Sequence, residues 1–225
     1  MTNLYLMNIT ENTDAIRTAF TEYITEEKLS RIHRFRFEAD QLRSLYGDVL
    51  TRHLICERLH ITNDQIIFSK NEYGKPMVHD LPIHFNISHS GDFVLVGISD
   101  YELGVDIELR KENSLGIAKS FFHPTEYEAI LHHANPNLLF YDIWCRKESY
   151  VKCIGKGLSQ SLQSFCCIKD NHLDLITDSN EPLIARNYYI SDQYSVSYCG
   201  YEEPNSELTL LHPLTVLNQL RTMHS

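Results

Sequence analysis

The sequence predicts an α+β fold, and two observations support that class. Apolar residues follow helical spacing in a few long segments, and strand-like segments occur in blocks instead of alternating regularly with helices. A division near residues 99–101 gives two halves of similar size, residues 1–100 and 101–225, and each half contains helical and strand-like segments. No repeat, low-complexity tract or long linker is visible in the sequence.

The first half begins with a strand-like segment at residues 1–10, which lacks the basic start and small-residue cleavage site of a secretory signal. In residues 40–59, Leu42, Leu45 and Val49 follow helical spacing and predict a long helix. The other elements that we expect in this half are a helix at 25–36, a turn with glycine and proline at 71–76, and strands at 84–87 and 93–99.

The second half begins with a predicted strand at 102–109. Pro124 opens a helix at 125–133, because a proline at an early helical position has no N–H to leave unpaired. A longer helix runs from about 138 to 154 and ends at Gly155-Lys-Gly157. The remaining segments are strand-like and lie at 165–168, 173–176, 188–190 and 194–199.

The composition is that of an ordinary soluble globular protein, with 43% hydrophobic and 22% charged residues. No segment approaches the roughly 20 apolar residues that a membrane helix needs, so we expect a cytoplasmic protein with no membrane partner. The six cysteines form no C-x-x-C pair and show no metal-like spacing, which predicts reduced thiols in the core.

The charge distribution indicates a small anionic ligand. The net charge of −10 argues against nucleic acid as a partner. The segment from Lys28 to Arg58, however, contains seven basic and four acidic residues. Its net charge is therefore +3, and that of the rest of the chain is −13. A basic island on an acidic protein suits a small polyanion, and a solvated helix face is the alternative explanation.

The strand at 102–109 carries two acids on one face. Its apolar and other residues alternate, so the apolar set faces the core while Asp106 and Glu108 project together from the opposite face. Two adjacent carboxylates repel each other unless a cation or solvent separates them. A solvated strand face is the alternative here.

The long helix of the second half presents a third acid. Trp144, Glu148 and Lys152 are spaced i, i+4, i+8 and share one face, with Lys147 beside them. A Glu–Lys pair on a solvated helix is one interpretation, although the tryptophan indicates a packed face. If Glu148 meets the two strand acids, the three carboxylates form an oxygen-only site suited to magnesium and a diphosphate.

A polar cluster ends the strand at 84–87. Ser88, His89, Ser90 and Gly91 offer hydroxyls, an imidazole and open backbone amides at a turn. Such groups can hold phosphate oxygens, although a single histidine is often structural.

These segments, in this order, resemble the phosphopantetheinyl transferase superfamily, specifically its Sfp-type branch of monomeric enzymes that serve peptide and polyketide synthetases. The resemblance covers about half of the chain, and the last forty or so residues carry little of it. It rests on Tyr73-Gly-Lys-Pro76, Phe85-Asn-Ile-Ser-His-Ser90, Gly104-Val-Asp-Ile-Glu108, Phe121-Phe122 with Glu126, and Trp144-Cys-Arg-Lys-Glu-Ser-Tyr-Val-Lys-Cys-Ile-Gly-Lys-Gly157.

The resemblance implies a Mg²⁺-dependent enzyme that transfers 4′-phosphopantetheine from coenzyme A to a serine of an apo carrier protein and releases 3′,5′-ADP. The carrier would belong to a peptide, polyketide or fatty-acid synthase. The family fold implies two similar α+β halves related by a pseudo-twofold axis, with coenzyme A in the cleft between them and a single chain as the active unit.

The resemblance also implies residue roles. Asp106, Glu108 and Glu148 would hold Mg²⁺, and Lys152 would contact the diphosphate and protonate the departing 3′,5′-ADP. The first half would supply the contacts to the 3′-phosphate and adenine, and the second half the metal site and catalytic helix. The 3′-phosphate contacts would come from Lys28, Arg31, Ser44 and His89, and those around adenine from Gly74, Lys75, Pro76 and Ser88, with Lys75 and Ser88 making the polar ones.

The residue type at two positions differs from that in relatives. Position 31 is arginine here and lysine in the best-known members, so the charge is kept but the hydrogen-bond geometry differs. Ile107, acidic in some relatives, follows the apolar alternation here, and we therefore assign it to the core.

Some assignments stay open at this stage. Glu148, Glu126 or a metal-bound water could accept the serine proton, and we rank Glu148 or its water first. The carrier is expected to dock on residues 115–123 through Ile117, Phe121 and Phe122, unless these side chains are core. The rival functions are another Mg²⁺-dependent phosphohydrolase or nucleotidyl transferase, and a module that binds carrier proteins without modifying them.

Overall fold

The α+β class is confirmed by a computed structural model, which describes residues 1–112, 115–170, 172–177, 181–205 and 207–223. The helices are α1 (Asp14–Thr21), α2 (Glu26–Ile32), α3 (Glu38–Leu59), α4 (Leu115–Phe121), α5 (Pro124–His132), α6 (Pro136–Ile154) and α7 (Pro213–Met223). The strands are β1 (Asn3–Asn8), β2 (Phe68–Lys70), β3 (Pro76–Val78), β4 (His84–Ser90), β5 (Phe93–Ser99), β6 (Leu103–Leu109), β7 (Cys166–Lys169), β8 (His172–Ile176), β9 (Ile184–Tyr188), β10 (Tyr194–Gly200) and β11 (Thr209–Leu210).

The first half is a four-stranded sheet covered by α3. The strand order is β11-β1-β5-β4, with β1 and β4 antiparallel to β5 and β11 parallel to β1. Buried residues of α3 such as Tyr46 and Leu50 pack with Val94 and Val96 of β5. Val216, Leu217 and Leu220 of α7 join the same core. The end of the chain therefore completes the first half.

The second half is a smaller antiparallel sheet covered by α6. The strand order is β6-β10-β9, and a separate hairpin joins β7 to β8. Helix α6 packs against both β6 and β10. Its own core includes Phe122, Phe140 and Ile143. Each half thus contains a long helix lying across a sheet whose strands are mostly or entirely antiparallel.

The two halves meet where β4 and β6 run side by side. A shared apolar core crosses this boundary, with Leu4 and Leu95 from the first half and Leu103, Val105 and Ile107 from the second. The strands are joined through side chains: in what we call the polar seam, the side chains of Asn86, Ser88 and Ser90 on β4 accept the backbone N–H groups of Val105, Ile107 and Leu109 on β6, at 2.9, 3.3 and 3.0 Å.

Several elements differ from the sequence predictions. The helix expected at 25–36 ends at Ile32, since Phe35 and Phe37 are exposed and no buried face continues beyond it. The strand expected at 188–190 lies at Ile184–Tyr188, where it pairs with β10. Helices α1, α4 and α7 and the short strands β2, β3 and β11 were not expected. All six cysteines are free and buried, as predicted. Among the described residues, no helix is long and apolar enough to cross a membrane.

Candidate active site

Helix α6 lies directly on β6 at Gly104. A β-carbon at this position would overlap the carbonyl oxygen of Ser149 and the amide nitrogen of Cys153. Only a glycine permits this approach, which covers the strand face that carries Asp106 and Glu108 with the helix that carries Glu148 and Lys152. The meeting of strand and helix that the resemblance implies is therefore present, and β6 is not a solvated strand face.

Asp106 is the most buried of the three predicted acids, at 3% exposure. Its Oδ1 accepts hydrogen bonds from Lys152 Nζ at 2.6 Å and from Ser88 Oγ at 2.9 Å. Its Oδ2 is buried and accepts no hydrogen bond from any described residue. A buried carboxylate oxygen without a partner is rare and calls for an explanation.

Glu108 and Glu148 lie within electrostatic reach of Asp106. Glu108 accepts a hydrogen bond from Ser90 Oγ at 2.8 Å. Glu148 is half-buried and makes no hydrogen bond or ion pair with a described residue. Burial raises the pKa of both Glu108 and Glu148 above the ordinary 4.5, and the negative charge of Asp106 raises each further. The three acids therefore form one region of incompletely neutralised negative charge.

Lys152 belongs to this acidic group and does not pair with Glu148. Its Nζ bonds Asp106 Oδ1, Ser88 Oγ at 3.0 Å and the Val105 carbonyl oxygen at 3.2 Å. Burial alone would lower the pKa of Lys152, but Asp106 and then Glu148 outweigh it, so the pKa lies above 10.5. The side chain keeps 28% exposure, so its charged end can reach a ligand.

The three acids suit a hard divalent cation. The donor set is oxygen only, as Mg²⁺ prefers, and Asp106 Oδ2 has unused lone pairs. Within the described ranges, no three His, Cys, Asp or Glu side chains already stand close enough together to hold a metal ion. Lys152 neutralises Asp106 in this arrangement. A cation would have to draw Glu108 and Glu148 toward Asp106.

A cleft formed by two pockets lies between Glu148 and the basic helix α2, and Asp106 and Glu108 are not among its described lining residues. One pocket of about 590 Å³ is lined by Gly74, Lys75, Glu148 and Lys152 among others. A second, of about 700 Å³, is lined by Lys28, Arg31 and Arg52 among others. Pro76 and Ile87 line both pockets, so the two adjoin each other. Their sizes are typical of small-molecule sites.

The positive charge at the basic end of the cleft is partly neutralised by Asp48. Lys28 Nζ lies 3.2 Å from Asp48 Oδ2, and Asp48 Oδ1 accepts from Arg52 Nε at 2.7 Å. Arg31 has no ion pair with a described residue. Burial lowers the pKa of Lys28, although Asp48 opposes this. Ser44 is half-buried on α3, one turn before Asp48.

His89 lies on β4 and is exposed as a residue. Partial desolvation, followed by the charges of Arg43 and Lys152, lowers its pKa below 6.5. Neither Ser44 nor His89 is among the described residues that line the two pockets, so their contact with a 3′-phosphate stays a prediction.

The turn at 71–76 is fastened to the second half. Gly74 adopts a φ of +90°, which favours glycine. Lys75 Nζ binds Glu102 and donates to the carbonyl oxygens of Leu103 and Cys153, each at 3.1 Å. Asn71 Nδ2 donates to the Gly155 carbonyl at 3.0 Å.

The groups of Lys75 and Ser88 that were expected to meet adenine thus already have protein partners. Lys75 uses three donors within the protein, and the Ser88 hydroxyl bonds Asp106 and Lys152 and accepts the Ile107 N–H. Their polar contacts to adenine remain a prediction that would require these bonds to rearrange.

Glu126 and Lys147 form a buried ion pair that sequence reasoning missed. Both side chains are 0% exposed, and Lys147 Nζ lies 2.9 Å from Glu126 Oε2. Glu126 also accepts from the amides of Cys167 at 2.6 Å and His123 at 2.8 Å. Glu126 therefore cannot take a proton from a docking substrate, and Lys147 does not share the exposed face of Glu148. The helix-capping position of Glu126 was readable from sequence, but its distant partner was not.

The expected carrier-docking segment is divided between surface and core. Ile117 is 42% exposed and Phe121 56%, whereas Phe122 is 2% exposed and stacks on Phe140. Phe122 is therefore core. Ser120 and Phe121 also line the pocket of Glu148 and Lys152, which places the end of α4 at the rim of the cleft.

Comparison with known proteins identifies the family. Residues 102–199 match the 4′-phosphopantetheinyl transferase superfamily, and residues 12–100 match the 4′-phosphopantetheinyl transferase N-terminal family. The chain is 39% identical over 187 residues to 4′-phosphopantetheinyl transferase Sfp of Bacillus subtilis (strain 168), covering 80% of this chain and 84% of the relative.

Other relatives agree. The chain is 35% identical over 208 residues to 4′-phosphopantetheinyl transferase psf-1 of Bacillus pumilus, covering 88% and 89% of the two chains. It is 38% identical over 181 residues to 4′-phosphopantetheinyl transferase gsp of Aneurinibacillus migulanus, covering 79% and 76%. This chain therefore belongs to the 4′-phosphopantetheinyl transferase superfamily, the enzymes that transfer phosphopantetheine from coenzyme A to carrier proteins.

Proposed function

We propose that transfer takes place in the cleft between the halves, where Asp106, Glu108 and Glu148 hold Mg²⁺ against the diphosphate of coenzyme A. The observation that carries the proposal is Asp106 Oδ2, which is buried yet accepts no hydrogen bond from a described residue. A buried carboxylate oxygen is costly unless a cation pairs with it. When bound, Mg²⁺ would supply positive charge that stabilises the diphosphate as the leaving group departs.

The protein's own residues supply positioning and proton transfer. The carrier serine oxygen bonds to the β-phosphorus of coenzyme A, and the bond from that phosphorus to the oxygen of 3′,5′-ADP breaks. Glu148 accepts the serine proton, directly or through a water molecule, since it lines the pocket and is not already hydrogen-bonded to a described residue. Lys152, which lines the same pocket, neutralises the diphosphate and returns a proton to the leaving phosphate.

The basic end of the cleft would receive the 3′-phosphate. Lys28 and Arg31 line the second pocket, and Arg31 keeps its guanidinium free of ion pairs with the described residues. A bidentate guanidinium suits a phosphate dianion. Gly74 and Pro76 line the adjoining pocket, which supports a place for adenine between the phosphate-binding groups and the acids.

The carrier would dock beside α4. Exposed Ile117 and Phe121 are apolar, and Phe121 lines the pocket of Glu148, so a carrier bound there can present its serine to the diphosphate. We propose a carrier domain of a peptide, polyketide or fatty-acid synthase, in keeping with the Sfp-type resemblance.

We also propose that the enzyme acts as a monomer in the cytoplasm. One chain supplies Glu148 and Lys152 as well as the basic residues of the cleft, which supports a monomer. The six unpaired, buried cysteines suit a reducing compartment. Sedimentation at assay concentration tests the first proposal, and cell fractionation tests the second.

Mass spectrometry of an apo carrier tests the proposed site. Wild-type protein with coenzyme A and Mg²⁺ should add one phosphopantetheine to the carrier, whereas Glu148→Ala and Asp106→Ala should add none while remaining folded. Glu128→Ala, which removes an exposed acid of α5, is the control and should transfer normally. Loading at the wild-type rate by either site variant would refute the metal assignment.

The same assay separates the rival functions. A phosphohydrolase would release 3′,5′-ADP from coenzyme A without making the carrier heavier, and a binding module would form a complex with an unmodified carrier. The proposed function requires a heavier carrier and 3′,5′-ADP in equal amounts.

A further inference from the structure

Strands β4 and β6 are edge strands of two different sheets, yet they lie side by side along the polar seam. Every second residue of β4, from Asn86 through Ser88 to Ser90, accepts a backbone N–H from every second residue of β6. The seam therefore satisfies edge N–H groups that would otherwise be unpaired, and it fixes the register of one half against the other.

Two of the three side chains in the polar seam also donate a hydrogen bond to an acid of β6. Ser90 Oγ accepts the N–H of Leu109 at 3.0 Å and donates to Glu108 Oε2 at 2.8 Å. Ser88 Oγ accepts the N–H of Ile107 at 3.3 Å and donates to Asp106 Oδ1 at 2.9 Å. Each serine thus accepts from one residue of β6 and donates to the carboxylate of the residue before it.

The direction of each hydroxyl proton follows from this arrangement. A serine has one O–H proton and can accept through its lone pairs. Because the backbone N–H donates to Oγ, the hydroxyl proton is left for the carboxylate. One oxygen of each acid is thereby held, and the other oxygen is left for another partner; for Asp106 that other oxygen is the buried Oδ2 without a hydrogen bond from a described residue.

We propose that Ser90, together with Ser88, is a positioning residue for the acid cluster: each serine holds one carboxylate oxygen, of Glu108 or of Asp106, and leaves the other oxygen for a divalent cation. This inference rests on the proposed metal site. The third side chain of the seam, Asn86, lies opposite Gly104 and Val105 and has no carboxylate to orient. It joins the halves without serving the acids.

Asn86 therefore provides a matched control for loss of a seam hydrogen bond, with coenzyme A at saturation because Asn86 also lines the pocket of Glu148 and Lys152. Asn86→Ala and Ser90→Ala each remove one hydrogen bond of the seam, but only the second releases a carboxylate. Ser90→Thr keeps the hydroxyl and should restore its effect. Ser90→Cys keeps the size of the side chain with a weaker donor, and it serves if the alanine variant does not fold.

The measured quantity is the affinity for Mn²⁺, a paramagnetic probe for the site. It is determined by electron paramagnetic resonance with coenzyme A present. Ser90→Ala, or Ser90→Cys in its place, should weaken Mn²⁺ binding about 10- to 100-fold, as loss of a ligand-orienting group does. Ser90→Thr should bind within about threefold of wild type. In EDTA, Ser90→Ala and Asn86→Ala should lower the midpoint temperature of thermal unfolding by similar amounts.

Two results would overturn the inference while leaving the proposed function intact: unchanged Mn²⁺ binding by folded Ser90→Ala or Ser90→Cys, or equal weakening by Asn86→Ala. Wild-type protein that binds no Mn²⁺ with coenzyme A would overturn both the inference and the metal assignment.

Discussion

Gly104 of β6 lies against the backbone carbonyl of Ser149 in α6, so closely that a β-carbon on the glycine would overlap the carbonyl oxygen. Ser149 directly follows Glu148 and lies one turn before Lys152. The contact between these two residues therefore determines how near the helix brings its acid and its lysine to Asp106. Because Gly104 has no side chain, α6 can lie close enough to β6 to bring Glu148 and Lys152 near Asp106.

Gly104→Ala should separate α6 from β6. Because the obstructing atoms belong to backbone, the helix has to move, and we expect destabilisation of about 3 kcal/mol or more together with loss of transfer. Urea unfolding measures the first effect. Gly116→Ala is the control, because a β-carbon there meets no described atom within 4 Å outside its own helix and chain neighbours. Equal stability of the two variants would show that the close contact does not constrain the helix.

Breaking the buried pair of Glu126 and Lys147 should be costly. Glu126→Gln leaves the ammonium of Lys147 without a counter-charge at 0% exposure, and we expect a loss of about 3–5 kcal/mol in the free energy of unfolding. The double variant Glu126→Gln with Lys147→Met removes the uncompensated charge and should recover part of that loss. Denaturant unfolding of both variants measures the difference, and a double variant less stable than the single one would contradict this account.

Glu102 should make stability depend on pH in the acid range. Burial by itself raises the pKa of Glu102, but hydrogen bonds from His84 and Lys75 outweigh it and lower the pKa from 4.5 to about 2. The ionised carboxylate therefore favours the folded state above pH 4.5, and this contribution disappears as the pH falls toward 2. Glu102 is 39% exposed, so we expect less than about 1 kcal/mol.

The measurement is the difference in unfolding free energy between wild type and Glu102→Gln. It should shrink steadily as the pH falls below about 5. A difference that persists unchanged at about pH 2.5 would contradict the depressed pKa.

Lys28 and Arg31 should act through the 3′-phosphate. Replacing both with methionine should weaken coenzyme A binding about 10-fold or more, while binding of 3′-dephospho-coenzyme A should change little. Arg34→Met with Arg36→Met removes the same charge from exposed positions next to α2 and controls for general electrostatics. Calorimetry with both ligands gives the comparison. Equal weakening for the two ligands would remove the 3′-phosphate role.

The sequence predicted which charged residues share a face, because those signals are local. Period-two alternation placed Asp106 and Glu108 on one strand face, and helical spacing placed Glu148 and Lys152 on one helix face. The same local spacing suggested that Glu148 pairs with Lys152. The structure pairs Lys152 with Asp106, which is 46 residues away in sequence, because packing over Gly104 brings the strand within reach.

Partners that depend on topology could not be predicted. The hydroxyls of Ser88 and Ser90 indicated a phosphate site, but β4 turns out to be an edge strand beside β6, and the hydroxyls serve its backbone and acids. Lys147 follows Arg146 and precedes Glu148, yet it points into the core toward Glu126. Helix α7, by contrast, was readable from the spacing of Val216, Leu217 and Leu220 and was missed.

The most direct test of the acid cluster is the effect of Mg²⁺ on coenzyme A affinity in Glu148→Gln. Glu148 has no hydrogen-bond or ion-pair partner among the described residues and feels repulsion from Asp106, so the amide should leave the protein at least as stable as wild type. Calorimetry should show that Mg²⁺ strengthens coenzyme A binding to wild type about 10-fold or more, and that Glu148→Gln loses this enhancement while melting normally. An equal enhancement in the folded variant would contradict a metal site built on these three acids.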